Sequence, residues 1–554
     1  MPVDTSAPEI LIVGSGPSGL VLALSLLRNG VPVRVIEKNK TYPSSGTYRS
    51  AQPRSLETLE SLGILDEVLR RAINVSPMSF YKMPEGVEVE KEYYMIPHLD
   101  PTPSQPYRNP LILGQDNLDK ILRAELEKLG CHVELGAELK SFDQDDEHVR
   151  VKIVKYSLED EAAPPVEEEA TYKWVIGADG ARGVVRKQLG LSFLGETTEQ
   201  RMITGDLMVE GLSPNKWHMW GDLSTFITSI RPTETEGLFN FIIGGGQVGD
   251  VRDVAANEVK LKELLKKSTG NREDIKWGKV VCAFPYIINV RMVDNFKKGR
   301  VFVTGDAAHI HSPTGGQGMN TGVQDSFNLG WKLALVMKGL APQSLLDSFN
   351  EERLPVVSEM LNITNEYLKK TIAKNDEAAW DRRGSVNQLG VNYRGSPIVV
   401  DEESELQGVD HWAAGSRYNS VDGRVLAGDR APDASGLIRI GKGDAAQTRL
   451  FTLLKPTQHT ILIFAEKVDY HTILPALSHY PRDSVHPIVV VPSGGSSTDS
   501  NVDAVEDKDG HAHAAYNVTD PASSIFVIRP DGVVGARVTT AEALERYFRG
   551  IFKA

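Results

Sequence analysis

The sequence opens with a strand, a glycine-rich turn, a helix and a second strand that ends in an acid. Residues 9–13 predict a strand, and after Glu9 they are apolar without alternation, as in a strand buried on both faces of a parallel sheet. Residues 20–28 predict a helix that is apolar nearly all round, and residues 31–37 predict a second strand ending at Glu37. This order of elements is the fingerprint of a dinucleotide-binding unit, so it restricts the N-terminal region to an α/β fold.

The glycines of this turn allow a tight bend and let the backbone approach a pyrophosphate at the helix N-terminus. We expect a side chain at Gly14 to wedge against that pyrophosphate, and the carboxylate of Glu37 to bind the adenosine ribose. The pattern fits FAD and NAD equally well. The residues predicted to bind the dinucleotide here are Gly14, Gly16, Pro17, Ser18, Gly19, Glu37 and Lys38.

A second strand, loop and helix unit stands in the middle of the chain. Residues 300–304 predict a buried strand and residues 321–338 predict a helix, and the loop between them is rich in glycine. Glycines let the backbone lie close to a flat ligand. The free N–H groups and the positive dipole end of the helix point back at the same loop, which favours an anionic or electron-rich ligand.

Small residues recur at every fourth position of this helix region, at Gly318, Gly322, Ser326 and Gly330. They form a face with almost no side chain. Each interior glycine costs about 1 kcal/mol relative to alanine, so we expect a close neighbour along this face. On these residues alone, tight packing without a ligand explains the pattern as well as ligand binding does.

The stretch 305–320 resembles the second FAD-binding motif of the single-component aromatic hydroxylases, the flavoprotein monooxygenases that include p-hydroxybenzoate hydroxylase and phenol hydroxylase. By this resemblance, a carboxylate binds the ribityl chain, a proline and a glycine loop lie against the isoalloxazine ring, and two backbone N–H groups meet its pyrimidine edge. A helix N-terminus there stabilises the negative charge of reduced flavin. The residues implied in these roles are Asp306, Pro313, Gly315, Gly316, Gly318, Met319 and Asn320.

Two more segments resemble parts of this family near its first motif. In the segment 48–59, the resemblance implies that Arg49 or Arg54 reaches the FAD pyrophosphate, although surface arginines before a helix would look alike. Gln115 matches a glutamine that contacts the flavin side, and it would also suit a plain helix start.

The third family motif is matched by residues 177–186. The resemblance implies that Asp179 holds the backbone or a ribose, while Arg182 and Arg186 orient phosphates and the loop. Gly183 stands where the family usually has serine, which weakens any role inferred for that position. The resemblance covers roughly the first 360 residues.

The region 201–241 alternates in strand fashion, and in the family a β-sheet here forms the roof over the flavin and the wall of the substrate pocket. Aromatic residues in strands are also ordinary core residues. Tyr286 is a further candidate for the pocket, and so is Arg291, which would suit a surface salt bridge equally. The aromatic residues predicted to face substrate are Trp217, Trp220, Phe226, Phe239 and Phe241.

A phenol substrate benefits from a base that removes its hydroxyl proton. The sequence does not single out this base among His218, Tyr286 and Tyr48. Pro313, which the resemblance places against the flavin ring, completes the set of catalytic candidates.

These features predict a Rossmann-like FAD-binding domain of the p-hydroxybenzoate hydroxylase fold, an inserted β-sheet substrate domain and a C-terminal thioredoxin-like α/β domain. The last follows from resemblance to the phenol hydroxylase subgroup, and it contains no cysteine, which excludes dithiol chemistry there. The predicted boundaries are 1–75, 111–190 and 296–360 for the FAD-binding domain, 76–110 and 191–295 for the substrate domain, 361–410 for a helix and linker, and 411–554 for the C-terminal domain.

Composition restricts the partners. The 554 residues carry a formal net charge of −13, which disfavours nucleic acid and anionic membranes. The only cysteines, Cys131 and Cys282, cannot form a disulfide framework or a cysteine metal cluster. His309 and His311 lie inside the flavin motif without acidic or cysteine co-ligands, so we expect no metal.

No apolar run approaches the roughly 20 residues of a membrane span, and we expect a cytoplasmic protein, with a homodimer as a possible assembly.

Family resemblance implies the reaction. NAD(P)H, with NADPH the more expected donor, reduces FAD; O₂ then gives a flavin C4a-hydroperoxide, whose distal oxygen passes to a phenolic or other aromatic substrate. One alternative keeps the fold and FAD but performs epoxidation, Baeyer–Villiger oxidation or dearomatisation of a larger secondary metabolite. Another is a non-catalytic FAD-binding or scaffold protein.

Overall fold

The structure is a computed structural model that describes residues 8–43, 48–222, 225–312, 315–373, 380–382, 384–409, 415–419, 423–440, 447–464, 470–495, 502–518 and 525–553. Within these ranges, strands form three large sheets and two small ones. None of the helices described is both long and apolar enough to cross a membrane.

The first large sheet has six strands and is parallel except at one edge. Its central strand, Ile10–Val13, is buried along its whole length and pairs in parallel with the strands on both sides, which explains its continuous apolar sequence. The predicted parallel α/β unit is therefore confirmed. The strand order is Lys297–Lys298, Val301–Val303, Trp174–Gly177, Ile10–Val13, Arg34–Glu37 and Val133–Leu135.

Two helices that begin at glycine-rich turns pack against each other beside this sheet. They are Pro17–Arg28, here called the dinucleotide helix, and Gly318–Met337, here called the central helix. The remaining helices of this region are Pro53–Ser61, Leu65–Arg71, Gln115–Lys128, Val184–Leu189 and Asp347–Ala373, with 3₁₀ turns at Gly305–Ala307 and Gln343–Leu346. Each of the two small sheets has three strands. The strand order of the first is Tyr48–Ala51, Leu111–Gly114 and Ile73–Asn74. That of the second is Val166–Tyr172, Val149–Lys155 and Ala137–Gln144.

The second large sheet has eight strands, antiparallel apart from one parallel pair. The helices Val251–Ala255 and Glu258–Ser268 contribute apolar side chains to a core on one of its faces. The other face is directed at the glycine-rich region of the first domain. The strand order is His309–Ile310, Lys276–Met292, Leu194–Glu210, Leu238–Gly244, Ile227–Pro232, Trp217–Gly221, Met78–Tyr81 and Val89–Tyr93.

The C-terminal region forms a mixed eight-stranded sheet, and its assignment as thioredoxin-like stays a prediction. Its strand order is Val400–Asp401, Val534–Val538, Ile525–Ile528, His459–Phe464, Val485–Pro492, Asp503–Asp507, Leu437–Ile440 and Gln447–Thr448. Its helices are Glu402–Leu406, Leu450–Leu453, Tyr470–Leu477, His511–Ala515 and Ala541–Arg549, and a 3₁₀ turn at Ser385–Asn387 precedes it.

Buried charges fasten the C-terminal region to the first domain. The guanidinium of Arg529 donates to both carboxylate oxygens of Glu352, at 2.6 and 2.9 Å, and Lys332 Nζ donates to the same carboxylate at 2.7 Å. Burial would raise the pKa of Glu352, but the two cations outweigh it and hold that pKa well below its ordinary value. Because removing one member would leave a buried charge unpaired, this contact resists separation of the two regions.

Two segments differ from the sequence expectation. The acidic composition of residues 157–170 is typical of a solvated loop, yet Val166–Tyr172 is a strand paired along its length with Val149–Lys155. Alternate charged residues of this strand face water, so its composition resembles that of a loop. The expected polar linker also contains buried residues, among them Gln388 and Tyr393.

Candidate active site

The first glycine turn packs against the protein's own backbone. A Cβ atom at Gly14 would overlap the carbonyl oxygen of Ala178, and Gly14 has φ +108°, a region that L side chains rarely adopt. A Cβ at Gly19 would likewise overlap the carbonyl of Gly14. The expectation that a side chain at Gly14 would strike a pyrophosphate is therefore wrong, because it would strike the neighbouring strand and turn first.

Gly16, in contrast, faces open space. A Cβ placed there has no described atom within 4 Å, and its φ of −75° suits any residue. No side chain caps the dinucleotide helix, whose first residue is Pro17, so its end presents uncapped N–H groups beside this opening. Glu37 lies next to the turn, where its carboxylate accepts hydrogen bonds from the N–H and the hydroxyl of Ser15, both at 3.2 Å. Lys38 follows and is exposed.

The third motif lies beside the first. Asp179 Oδ2 accepts a hydrogen bond from Val185 N at 3.0 Å, which places the carboxylate at the start of a short helix, and burial raises its pKa. A Cβ at Gly183 would overlap this carboxylate, so the glycine allows the carboxylate to lie against the start of the helix. Arg186 donates to the carbonyl of Ala307 at 3.1 Å, so it links two motifs, whereas Arg182 is exposed.

The glycine loop, residues 315–318, leads into the central helix. Its N-cap residue, Gln317, makes no side-chain bond to the helix end. Asn320 is buried and fixes the loop: its Nδ2 donates to the carbonyls of Ser50 and Gly316, both at 2.7 Å, and its Oδ1 accepts from Gln52 N at 2.8 Å. The side chain of Asn320 is thus structural, and the first-turn N–H groups of the helix remain for a ligand.

A buried carboxylate holds the turn that carries Asp306. Asp325 accepts hydrogen bonds from Gly305 N at 3.1 Å and from Arg353 Nε at 2.7 Å, and it pairs with His309 Nε2 at 2.8 Å. Burial alone would raise the pKa of Asp325, but Arg353 and His309 hold it below its ordinary value. With this anchor beneath it, Asp306 projects its own carboxylate, which is exposed and lines the cavity described next.

A cavity of about 570 Å³ separates the glycine loop from the second large sheet, the one that contains the strand Trp217–Gly221. This volume lies within the range of about 300–1,000 Å³ that small-molecule sites occupy. On one side it is lined by Asp306, His311, Gly315, Gly316, Gly318 and Met319. On the other side the sheet contributes Met202, Thr204, Trp217, Met219, Ile227, Ser229, Arg231, Asn240, Ile242, Phe284 and Tyr286.

Strand alternation decides which predicted aromatic residues reach this cavity. Trp217 lines it, and its Nε1 donates to Ser229 Oγ at 2.6 Å. The prediction that four other aromatic residues face substrate is wrong, because side chains on a strand alternate between faces and theirs point to the helix-covered core. These residues are Trp220, Phe226, Phe239 and Phe241.

His218 is also on the far face of the sheet. Its Nδ1 pairs with the hydroxyl of Tyr81 at 2.7 Å and its Nε2 with the carbonyl of Ser213 at 2.9 Å. Burial lowers its pKa to about 4, and its side chain is 1% exposed. The prediction of His218 as a catalytic base is therefore wrong. Tyr286, in contrast, lines the cavity.

Arg54 connects the helix Pro53–Ser61 to the C-terminal region. Its guanidinium donates to Glu57 at 2.9 Å and to the carbonyl of Asp531 at 2.9 Å, so it faces the C-terminal region. The prediction that Arg54 binds the pyrophosphate is corrected accordingly.

The side chains of Arg49 and Tyr48, and Pro313 as a whole, lie outside the described residues. Gln115 begins the helix Gln115–Lys128, and Arg291 donates to the carbonyl of Phe193 at 3.2 Å, away from the cavity.

A polar chain in the cavity wall was missed by the sequence reasoning. Arg231 stacks over Trp217, with 4.9 Å from its guanidinium carbon to the ring centroid, and its Nε donates to Asn240 Oδ1 at 3.2 Å. Asn240 in turn donates to Asp206 at 2.9 Å, and burial raises the pKa of Asp206 to about 6. The available signal was the alternation within each strand, which places Arg231 on the face of Ile227 and Ser229, and Asn240 on the face of Ile242. Met95, Leu368, Trp380 and Arg382 also line the cavity, and no local pattern marks them.

These residues fit FAD. Two uncapped helix ends, one beside the open Gly16 and one at the cavity, supply N–H donors for a pyrophosphate and for an electron-rich ring edge. The exposed carboxylate of Asp306 lines the cavity and can accept hydrogen bonds from hydroxyl groups. Among the described residues, no group of three or more His, Cys, Asp or Glu side chains is placed to hold a metal.

Comparison with known proteins points to the same cofactor. Residues 7–364 match the family model described as FAD binding domain. A flavin-dependent monooxygenase from Mycobacteroides abscessus is 30% identical over 548 residues, which cover 97% of this chain and 98% of that protein. Pentachlorophenol 4-monooxygenase from Sphingobium chlorophenolicum is 28% identical over 557 residues, covering 97% and 95%.

A solved structure extends the likeness to the fold. Aklavinone-11 hydroxylase, in a ternary complex with FAD and aklavinone, superposes with a TM-score of 0.79 at 23% identity and covers 99% of both chains. At this identity the likeness concerns the fold alone, and it confirms the predicted p-hydroxybenzoate hydroxylase-like architecture.

Proposed function

This chain belongs to the family of FAD-dependent aromatic hydroxylases, and we propose that it inserts one oxygen atom of O₂ into a phenolic or other aromatic substrate with NAD(P)H as electron donor. It is an FAD-dependent monooxygenase, as are its relatives. When bound, FAD supplies electron transfer from NAD(P)H and the activation of O₂. The protein's own residues must then bind the flavin, orient the substrate and exclude water.

The observation that carries the proposal is the position of the cavity between two unlike walls. The glycine loop and the uncapped end of the central helix make a bare backbone surface, which suits a flat ring with negative charge near one edge. The sheet wall opposite is apolar and aromatic with a few polar groups. A flavin on the first wall would therefore face a substrate on the second.

We assign the flavin-side roles as follows. Asp306 accepts hydrogen bonds from the ribityl chain, and the N–H groups of Met319 and Asn320 donate to the pyrimidine edge. Gly16 and the uncapped dinucleotide helix receive the pyrophosphate, and Glu37 the adenosine ribose. The full proposed set adds Gly14, Pro17, Ser18, Gly19, Lys38, Arg49, Gln115, Asp179, Pro313, Gly316 and Gly318. The domain boundaries given from the sequence are kept as part of this proposal, except that the C-terminal domain begins by residue 400 and not at 411, because Val400–Asp401 pairs with Val534–Val538.

On the substrate side, Trp217 stacks on the aromatic ring and Tyr286 hydrogen-bonds its oxygen. Arg231, held by Asn240 and stacked on Trp217, places a positive charge in the same wall. A positive charge near a phenol favours the phenolate. An ionised phenol is more electron-rich, so this wall promotes oxygen transfer without His218.

Purified protein tests the proposal. We expect it to carry FAD and to oxidise NADPH faster when phenol, 2-naphthol or 1,8-dihydroxyanthraquinone is added, with one atom of ¹⁸O₂ found in the product by mass spectrometry. Stimulation only by larger compounds without a phenol would favour epoxidation, Baeyer–Villiger oxidation or dearomatisation. A protein that cannot be reconstituted with FAD, or that never oxidises NAD(P)H, would contradict the proposal.

A further inference from the structure

A buried cluster of three glutamines joins the start of the central helix to a distant part of the chain. Gln388 Nε2 donates to Gln317 Oε1 at 2.7 Å, and Gln324 Nε2 donates to Gln388 Oε1 at 2.6 Å. Gln388 Nε2 also lies 3.2 Å from Thr321 Oγ1. Gln388 is completely buried, at 0% exposure, so each of these bonds is shielded from water.

The cluster controls the residue at the helix end. Gln317 stands at the N-cap, where a side chain often accepts from the first-turn N–H groups, yet it makes no such bond. Its Nε2 instead donates to the carbonyls of Gly315 at 2.8 Å and Val386 at 2.9 Å. Residues 386 and 388 together hold this side chain away from the helix end, which leaves the N–H groups open to a ligand.

The backbone of Gln388 is strained. Its φ is +61°, in the left-handed region that non-glycine residues rarely adopt. Such a conformation is unfavourable for a non-glycine residue and persists only where the surroundings over-determine it, often at ligand-binding sites. At Gln388 the surroundings are the bonds to Gln317, Gln324 and Thr321, and all three partners belong to the N-terminal turns of the central helix or its cap.

We propose that Gln388 is a positioning residue for the flavin, and that residues 386–388 form a latch that sets the glycine loop. The latch fixes Gln317, and through it the direction of the N–H groups that meet the flavin ring. This inference rests on the proposed position of that ring in the cavity. Gln388 lies beyond residue 364, where the match to the FAD binding domain ends.

Apo-protein reconstituted with FAD tests the latch. Gln388→Leu removes the hydrogen bonds, and Gln388→Gly removes them together with the backbone strain, so the glycine variant keeps the test valid where leucine impairs folding. Loss of a buried hydrogen bond that leaves its partner unsatisfied predicts an FAD dissociation constant about tenfold higher or more in both. The midpoint potential of bound flavin should also fall, because helix N–H groups stabilise the reduced anion.

Asn392→Leu is the matched control. Asn392 is a buried amide four residues beyond Gln388 and outside the latch, and its Nδ2 donates to the carbonyls of Gly390, Ser416 and Asn419 and not to the glycine loop. We expect this variant to be less stable yet to keep wild-type FAD affinity and potential. Unchanged affinity and potential in both Gln388 variants, or equal changes in Asn392→Leu, would overturn the latch. Neither readout involves NAD(P)H or substrate, so this outcome is separate from that of the hydroxylation assay.

Discussion

A Cβ atom at Gly322 would overlap the Oγ of Ser18, so the two helices that begin at the glycine turns touch at this pair. The same holds about two helical turns further along, where a Cβ at Gly330 would overlap Ser25 Oγ. Between them Ser326 Oγ lies 3.1 Å from Thr304 Oγ1. The repeat of small residues thus serves close helix packing, and this packing sets the spacing between the first glycine turn and the glycine loop at the starts of the two helices.

We predict that Gly322→Ala destabilises the protein by about 1–3 kcal/mol, the cost of overpacking a tight contact. Ser18→Gly should restore much of this loss in the double variant, because it removes the overlapping hydroxyl. Urea denaturation of the four proteins in this cycle measures the coupling. If the two substitutions prove additive, the contact between Ser18 and Gly322 does not determine the helix spacing.

Gly16→Val should fold normally and fail to retain FAD, because the new side chain enters the open space assigned to the pyrophosphate. Gly14→Val should instead fail to fold properly, since its side chain strikes the backbone of Ala178. Two measurements on each variant distinguish these outcomes. The ratio of flavin absorbance to protein absorbance gives the FAD content, and the thermal transition, compared with that of wild-type apo-protein, shows whether the variant is folded. Stoichiometric FAD in Gly16→Val would refute the assignment of this opening.

Asp306→Ala should weaken FAD binding by about tenfold or more, the effect of losing a hydrogen bond to a charged group. Its side chain is exposed, so the thermal transition of the apo-protein should hardly change. Asp306→Asn keeps an acceptor oxygen and should lose less. Fluorescence titration with FAD gives the affinities, and an Asp306→Ala variant that binds FAD like the wild type would exclude the ribityl contact.

We predict that His218 makes the stability of the protein depend on pH and takes no part in catalysis. Its pKa in the folded protein is about 4, below the unfolded value of about 6.5, so the unfolded state binds the proton more readily. The stabilisation is fully present above pH 6.5 and is lost as the pH falls towards 4, by up to about 3 kcal/mol.

The variant His218→Gln, which lacks the imidazole, tests both the pH effect on stability and the absence of a catalytic role. In His218→Gln this portion of the acid sensitivity should disappear, although His459, whose pKa burial lowers to about 3, contributes a similar portion of its own. The turnover number should stay near that of the wild type. A general base contributes about 10²–10⁴-fold, so a loss of that size would return His218 to the active site.

Local pattern was sufficient for the elements that bind the dinucleotide and insufficient for those that surround the substrate. The apolar run before Gly14 and the spacing of the glycines identify a strand, a turn and a helix, and these depend on neighbouring residues alone. Trp217 and Trp220, in contrast, are three positions apart on one strand, so alternation places them on opposite faces, but only the tertiary structure decides which face meets the cavity and which the core.

Contacts between distant segments were equally beyond the sequence. Arg54 bonds to a carbonyl 477 residues further along, and no local signal indicates such a partner. Gln388 lies in a stretch whose polar composition predicts a linker, because buried amides that satisfy each other look polar in sequence. The tertiary structure determines whether such residues face water or each other.

The central claim is that the flavin ring lies between the glycine loop and the sheet wall that carries Trp217. A crystal structure of the FAD-loaded protein tests it most directly. We predict electron density for the isoalloxazine ring within hydrogen-bonding distance of the N–H groups of Met319 and Asn320, with Trp217 across the cavity. A ring bound elsewhere, or a cavity filled by the protein's own side chains, would contradict the account.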